Sequence, residues 1–241
     1  MACVSALGAA SALASEPVQH HFVASALKKG SEVTFSEASP GKLVNIGEGP
    51  QEFRLKPFII TCTSAKSKGA ITSNFSKTIF EKVKYSGCTT PIKIGSETVQ
   101  TAAKFKGAVD YEYNANGFLE DGAESQSNVR LVNASSIEIS VQHLGKCLIE
   151  MEAQTLPEKA EEKPEKVYGD AVFAPFTVPN LNTKFFPGGE QTKLQITNNF
   201  KKIEYEIEGG LCEQFERTSG EAGTASGILN AELKDGNLSW E

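Results

Sequence analysis

The sequence predicts an all-β fold: antiparallel sheets arranged as a sandwich or barrel, divisible into two related β units and held by two disulfides. Three observations carry this expectation. Apolar residues alternate with polar ones in short runs along most of the chain. Turn-forming residues separate the runs. Four cysteines bracket two stretches that resemble one another.

The alternation is clearest in Phe58-Ile60-Cys62, in Phe105-Gly107-Val109-Tyr111-Tyr113 and in Ile137-Ile139-Val141. It returns in Cys147-Ile149-Met151-Ala153, in Ile203-Tyr205-Ile207 and in Leu229-Ala231-Leu233. A period of two sets one face of a strand on a core and the other in water, the pattern of antiparallel sheets. The intervening positions fit, with Lys104, Lys106, Asp110 and Glu112 in one run and Glu204, Glu206 and Glu208 in another. Ser86-Gly87, Asn116-Gly117, Gly188-Gly189, Gly209-Gly210 and Asp235-Gly236 mark turns. Residues 20–29 are the one place where a short helix is expected.

At the N-terminus, residues 2–14 are small, apolar and uncharged, and Ala12-Leu13-Ala14 has the small-x-small form of a signal-peptidase site. Residues 1–14 are therefore read as the remainder of a signal peptide, with Ser15 as the mature N-terminus and no Lys or Arg before the apolar run. The competing readings are an Ala/Ser tail without structure and a lipid anchor on Cys3. The run is too short to span a membrane, which takes about 20 apolar residues. With Cys3 removed, Cys62, Cys88, Cys147 and Cys212 remain, and an even count in an exported protein reads as disulfides.

Three pairings of four cysteines exist, and the internal likeness selects one. Lys82-Val83-Lys84-Tyr85-Ser86-Gly87-Cys88 and Lys202-Ile203-Glu204-Tyr205-Glu206-Ile207-Glu208-Gly209-Gly210-Leu211-Cys212 share a strand with a tyrosine, then glycine, then cysteine. Pairing each cysteine within its own stretch gives Cys62–Cys88 and Cys147–Cys212. Loops of these lengths would contribute roughly 3.5–4.5 kcal/mol each on the chain-entropy account. The expected organisation is a segment 15–49 with the first strands, a β unit over 50–146 and a second over 147–241. The second carries an inserted loop over 155–190, which includes the charged, apolar-poor run 157–166 and the proline-punctuated run Val172 to Pro187. Proline removes a ladder donor, so the latter is expected at an edge or as irregular chain.

Three segments carry a family likeness: Gly145-Lys146-Cys147-Leu148-Ile149-Glu150-Met151-Glu152-Ala153-Gln154-Thr155-Leu156-Pro157, then Ile203 to Cys212, then Asp235-Gly236-Asn237-Leu238-Ser239-Trp240. They resemble segments of uncharacterised secreted proteins that occur as many paralogues in soil actinobacteria. The resemblance implies export and disulfides. It implies no activity and carries over no catalytic residue.

A formal charge of −6 argues against a general nucleic-acid binder, which needs clustered Lys and Arg. The best-spaced metal candidate is a calcium loop at Glu112, Asn114 and Asn116, followed by Gly117 and an apolar Leu119. Glu stands where Asp is usual, Ala123 stands where the bidentate Glu belongs, and an Asn-Gly hairpin accounts for the same residues. His20, His21 and His143 are not spaced for zinc. Carboxylate pairs (Asp110 with Glu112, Glu150 with Glu152) could serve a glycosidase, yet they fall on the solvent phase of their strands. No G-x-S-x-G is present and no cofactor is expected. Phe173, Phe176, Phe185 and Phe186 are candidates for a partner surface or for burial, Trp240 is expected to pack on its strand, and Asn74, Asn133 and Asn237 head sequons. The expected role is a non-enzymatic secreted or cell-surface protein that binds a protein or glycan, or is structural. The alternatives are a carbohydrate-active or other extracellular hydrolase, and a carrier of a small apolar ligand.

Overall fold

The computed structural model describes residues 19–28, 30–116, 127–154, 169–212 and 222–241. The signal peptide, Cys3, Gly117 to Ala123 and the charged run 157–166 lie outside the described residues. Along the chain the strands are β1 (Phe22–Lys28), β2 (Ser31–Glu32), β3 (Gly41–Leu55), β4 (Phe58–Ile71), β5 (Phe75–Ser76), β6 (Thr78–Ile94), β7 (Glu97–Phe105) and β8 (Val109–Asn114). They continue with β9 (Asn128–Leu131), β10 (Ser135–Val141), β11 (Gly145–Met151), β12 (Gly169–Pro179), β13 (Glu190–Ile203), β14 (Tyr205–Glu208), β15 (Gly223–Leu233) and β16 (Gly236–Trp240). No helix occurs among the described residues, and the expected short helix at 20–29 is instead strand β1. Alternation decides it: Phe22 and Ala24 are buried on one face, and the strand pairs with β16 from Phe22↔Trp240 to Ala26↔Gly236.

Hydrogen bonding closes eight strands into a ring in the order β6-β4-β3-β15-β13-β12-β9-β8, with β8 returning to β6. All of these pairings are antiparallel. An eight-stranded barrel is just wide enough for its own side chains to fill. A second sheet branches from the same strand. The first part of β6 pairs with β8 and the last part with β7, from which β10, β11 and β14 extend as a wing. Only Glu204 separates β13 from β14, so chain continuity ties the far edge of the wing to the barrel wall. A small sheet of β16, β1, β2 and β5 lies against β12, where the Phe22 ring meets Phe173 edge-on at 4.8 Å.

The hand-over along β6 is written in its phase. Ile79, Glu81 and Val83 point inward, and then Cys88, Thr90 and Ile92 do. The switch falls at Ser86-Gly87, and partner strand β4 changes phase at the same level, from Cys62 to Ala65. Gly87 has φ +62°, and a Cβ there would lie 2.2 Å from Thr63 Oγ1. Gly87→Ala is expected to cost about 1–2 kcal/mol from the left-handed backbone alone, read as a lower urea midpoint. A change within a few tenths of a kcal/mol would show that the strand relaxes freely at this point.

Both disulfides are present as expected. Cys62 and Cys88 are directly paired residues of β4 and β6. Cys147 of β11 is joined to Cys212, which follows β14, with Cα atoms 5.1 Å apart. The second glycine-cysteine is a turn rather than a strand: Gly209 has φ +110°, and its carbonyl accepts from the Cys212 N–H. The unit limits at 49/50 and 146/147 fall inside β3 and β11, and strands from the two sides are hydrogen-bonded in one sheet. Residues 169–179, grouped by composition with the inserted loop, form barrel strand β12. Its prolines sit where only β13 pairs with it, since β9 reaches only Gly169 and Asp170.

Candidate functional site inside the barrel

A polar cluster occupies inward positions of the barrel strands. Asn45 on β3 lies opposite Ser67 on β4, and Glu81 on β6 lies opposite Tyr111 on β8. Ser67 Oγ donates to Glu81 Oε2 at 3.1 Å. Across the interior, Asn198 of β13 donates to the Tyr113 hydroxyl of β8 at 3.3 Å, and the Tyr85 and Tyr111 hydroxyls share a 2.9 Å hydrogen bond. Where β6 changes partners, the Tyr85 ring packs with Phe53 and Phe105 at 5.0 and 4.9 Å.

Burial dominates the electrostatics. Desolvation pushes the Glu81 carboxyl up to about 7, against smaller opposing effects from Asn45 and Ser67 beside it. The Asn45 amide lies close to Glu81, but neither of its polar atoms reaches hydrogen-bonding geometry. Burial also raises the hydroxyls of Tyr85, Tyr111 and Tyr113, with Tyr85 adding to Tyr111 and Glu81 adding to Tyr113, so all three stay neutral. Asn45 Nδ2 and Oδ1, Glu81 Oε1 and Asn198 Oδ1 are buried without a hydrogen-bond partner among the described residues. Each such group costs about 1–3 kcal/mol. Stability is thus given up inside the barrel, and departures of this kind cluster where a fold has work other than folding. Chemically, the cluster can hold or release one proton near neutral pH at a sealed position.

Sequence reasoning did not single these residues out. The available signal was a polar residue in the apolar phase: Glu81 between Ile79 and Val83, and Asn45 two residues from Leu43.

The residues singled out from sequence lie elsewhere. Glu112 accepts from Arg130 Nε at 2.6 Å, Asn114 Oδ1 accepts from the Asn116 N–H, and the Asn116 amide bonds both backbone groups of His20. Glu112 Oε2, Asn114 Oδ1 and Asn116 Oδ1 thus each accept from a protein donor, and among the described residues no three His, Cys, Asp or Glu converge as for a metal. Asp110 takes Asn133 Nδ2 at 2.7 Å. Glu150 and Glu152 line a shallow depression of about 420 Å³ with Glu206, Lys106, Ser135 and Ser136, and its lining includes no aromatic side chain. Phe173 and Phe186 are buried, while Phe176 and Phe185 are half-buried. Trp240 stacks on His20 at 4.4 Å. The sequon residue Asn74 uses Nδ2 to bond the carbonyls of Ala24 and Val33, so that nitrogen already ties the small sheet together.

No protein-family profile and no curated protein matches this chain. Among solved structures it is similar to acetoacetate decarboxylase from Legionella pneumophila subsp. pneumophila str. Philadelphia 1, with 9% identity over 92% of this chain and 87% of that one. The TM-score is 0.18, too low to carry any argument about fold or activity. No helix among the described residues is long and apolar enough to cross a membrane.

Proposed function

We propose that this chain is a non-enzymatic secreted or cell-surface protein with a binding or structural role. The observation that carries the reading is the sealing of Glu81, the one carboxyl among the described residues that burial raises strongly. Glu81 is 1% exposed and Asn45 and Tyr113 are 0% exposed, so the groups best tuned for proton chemistry lie out of a substrate's reach. An apolar guest in the same interior would have to lie against Glu81, Asn45 and Asn198, which favours this reading over a carrier of apolar ligands. Export is supported by the two buried disulfides, since such bonds persist in oxidising compartments. It is supported also by the leader-like run and by the resemblance to secreted actinobacterial proteins.

One observation favours a second reading, an extracellular hydrolase: three carboxylates line the depression on the wing. Both readings are separated by a broad screen of glycoside and ester substrates with the whole chain and with Glu150→Gln/Glu152→Gln. No turnover is expected. Robust turnover abolished by the double substitution would establish the hydrolase instead. Mass spectrometry of exported material is expected to find Ser15 at the N-terminus and no free thiol.

A further inference from the structure

The outer face of β3, β4 and β6 carries a grid of lysines. Lys66 lies directly opposite Lys84, and Lys68 directly opposite Lys82. All four are exposed. Side chains opposite one another in an antiparallel pair stand about 5 Å apart at Cβ, where like charges destabilise the pairing. Of these four, only Lys82 has an acidic partner among the described residues, Asp110 at 3.4 Å, and Asp110 is shared with Asn133. A chain of net charge −6 has concentrated positive charge here against its composition. The acids that flank the grid are engaged by other cations, Glu112 opposite Phe80 by Arg130 and Glu232 opposite Val44 by Lys193, and a separate acidic group lies on the wing, where Glu150 is opposite Glu206.

Apolar side chains border the grid. On the β3 side, Val44 is the register partner of Lys68 and Ile46 of Lys66, and they are 36% and 60% exposed. At the end of the grid on β6, Phe80 is 52% exposed. Lysine is a compact point charge suited to a diffuse anionic field rather than to bidentate recognition of one group. A soluble polyanion would use the lysines and leave Val44, Ile46 and Phe80 idle. A bilayer interface uses both, with charge drawn to headgroups and apolar side chains entering the acyl boundary.

We infer that this face docks on an anionic phospholipid bilayer, with Lys66, Lys68, Lys82 and Lys84 at the headgroup phosphates and Ile46, Val44 and Phe80 in the interface. The inference adds a partner to the non-enzymatic reading above, and the two fail separately. Turnover in the substrate screen would overturn that reading and leave this one standing. Absence of vesicle binding would do the reverse.

The test is flotation of the whole chain with neutral phosphatidylcholine vesicles and with vesicles holding about 30% phosphatidylglycerol, at about 0.1 M salt. Partitioning is expected to be at least about 10-fold stronger on the anionic vesicles. Lys66→Gln/Lys68→Gln/Lys84→Gln should lower it on the order of 100-fold, since each lysine near an anionic surface contributes roughly a factor of five. These substitutions are exposed and relieve like-charge pairs, so the fold should survive, as checked by circular dichroism. Ile46→Ser/Phe80→Ser should weaken binding while keeping its dependence on salt. Equal binding to neutral vesicles would overturn the inference. So would capture by inorganic polyphosphate without vesicle binding, or a dimer that the lysine substitutions dissolve.

Discussion

Glu81→Gln is expected to stabilise the protein at pH 8 by about 3 kcal/mol and to leave it unchanged at pH 4. The folded carboxyl titrates at about 7, whereas an unfolded glutamate titrates near 4.5. Below pH 4.5 both states hold the proton, and the native protein bears no penalty. As pH rises from there, the unfolded chain ionises first and gains free energy that the folded state, still protonated, does not. Native stability therefore falls by about 1.4 kcal/mol per pH unit across the window and levels off above pH 7. Glutamine keeps the shape and the acceptor for Ser67 but has no proton to lose, so the slope disappears. Urea unfolding of both proteins at pH 4, 6 and 8 measures this. Parallel stabilities across the series would mean that Glu81 is already solvated in the native state.

The second large effect concerns the wing. Cys147→Ala/Cys212→Ala is expected to lower stability by about 4 kcal/mol, on the entropy of closing a loop with a sequence separation of 65 residues. That loop contains β12 and β13, so the bond fastens a wing strand covalently to chain that has already passed through the barrel wall. The corresponding loss for Cys62→Ala/Cys88→Ala should be smaller, about 3.5 kcal/mol. Its separation is 26 residues, and it joins residues that the β4–β6 hairpin already holds side by side. Chemical denaturation of the two double variants ranks them. Equal losses, or a loss below about 1 kcal/mol for the first, would place the effect in the native state rather than in the freed chain.

The strands were legible because half-buried antiparallel sheet imposes a period of two. Ile137, Ile139, Ile149, Leu229 and Leu233 are all fully buried, as their phase requires. Both cysteine pairings followed from the likeness of two stretches. That likeness is one of sequence more than of shape, because Gly87 bends a continuous strand while Gly209 opens a turn. Barrel closure was not legible. It depends on β6 serving two partners in succession, and nothing in a local window says which strand lies on the other side. The interior cluster went unread because Glu81, Asn45 and Asn198 stand alone in their runs and converge only through pairings such as Asn45↔Ser67 and Glu81↔Tyr111. The expected helix at 20–29 failed because its alternating residues face β16, which lies more than two hundred positions downstream.

Strand β15 sits between β3 and β13 and hydrogen-bonds to both. It follows both of them in the chain, so a growing polypeptide carries two long unpaired ladders until β15 has emerged. Bare edges of this kind recruit other chains into aggregates. Contacts spanning about 180 positions also make closure slow compared with hairpin formation. Correct maturation is therefore expected to depend on keeping neighbouring molecules apart until β15 has zipped both ladders.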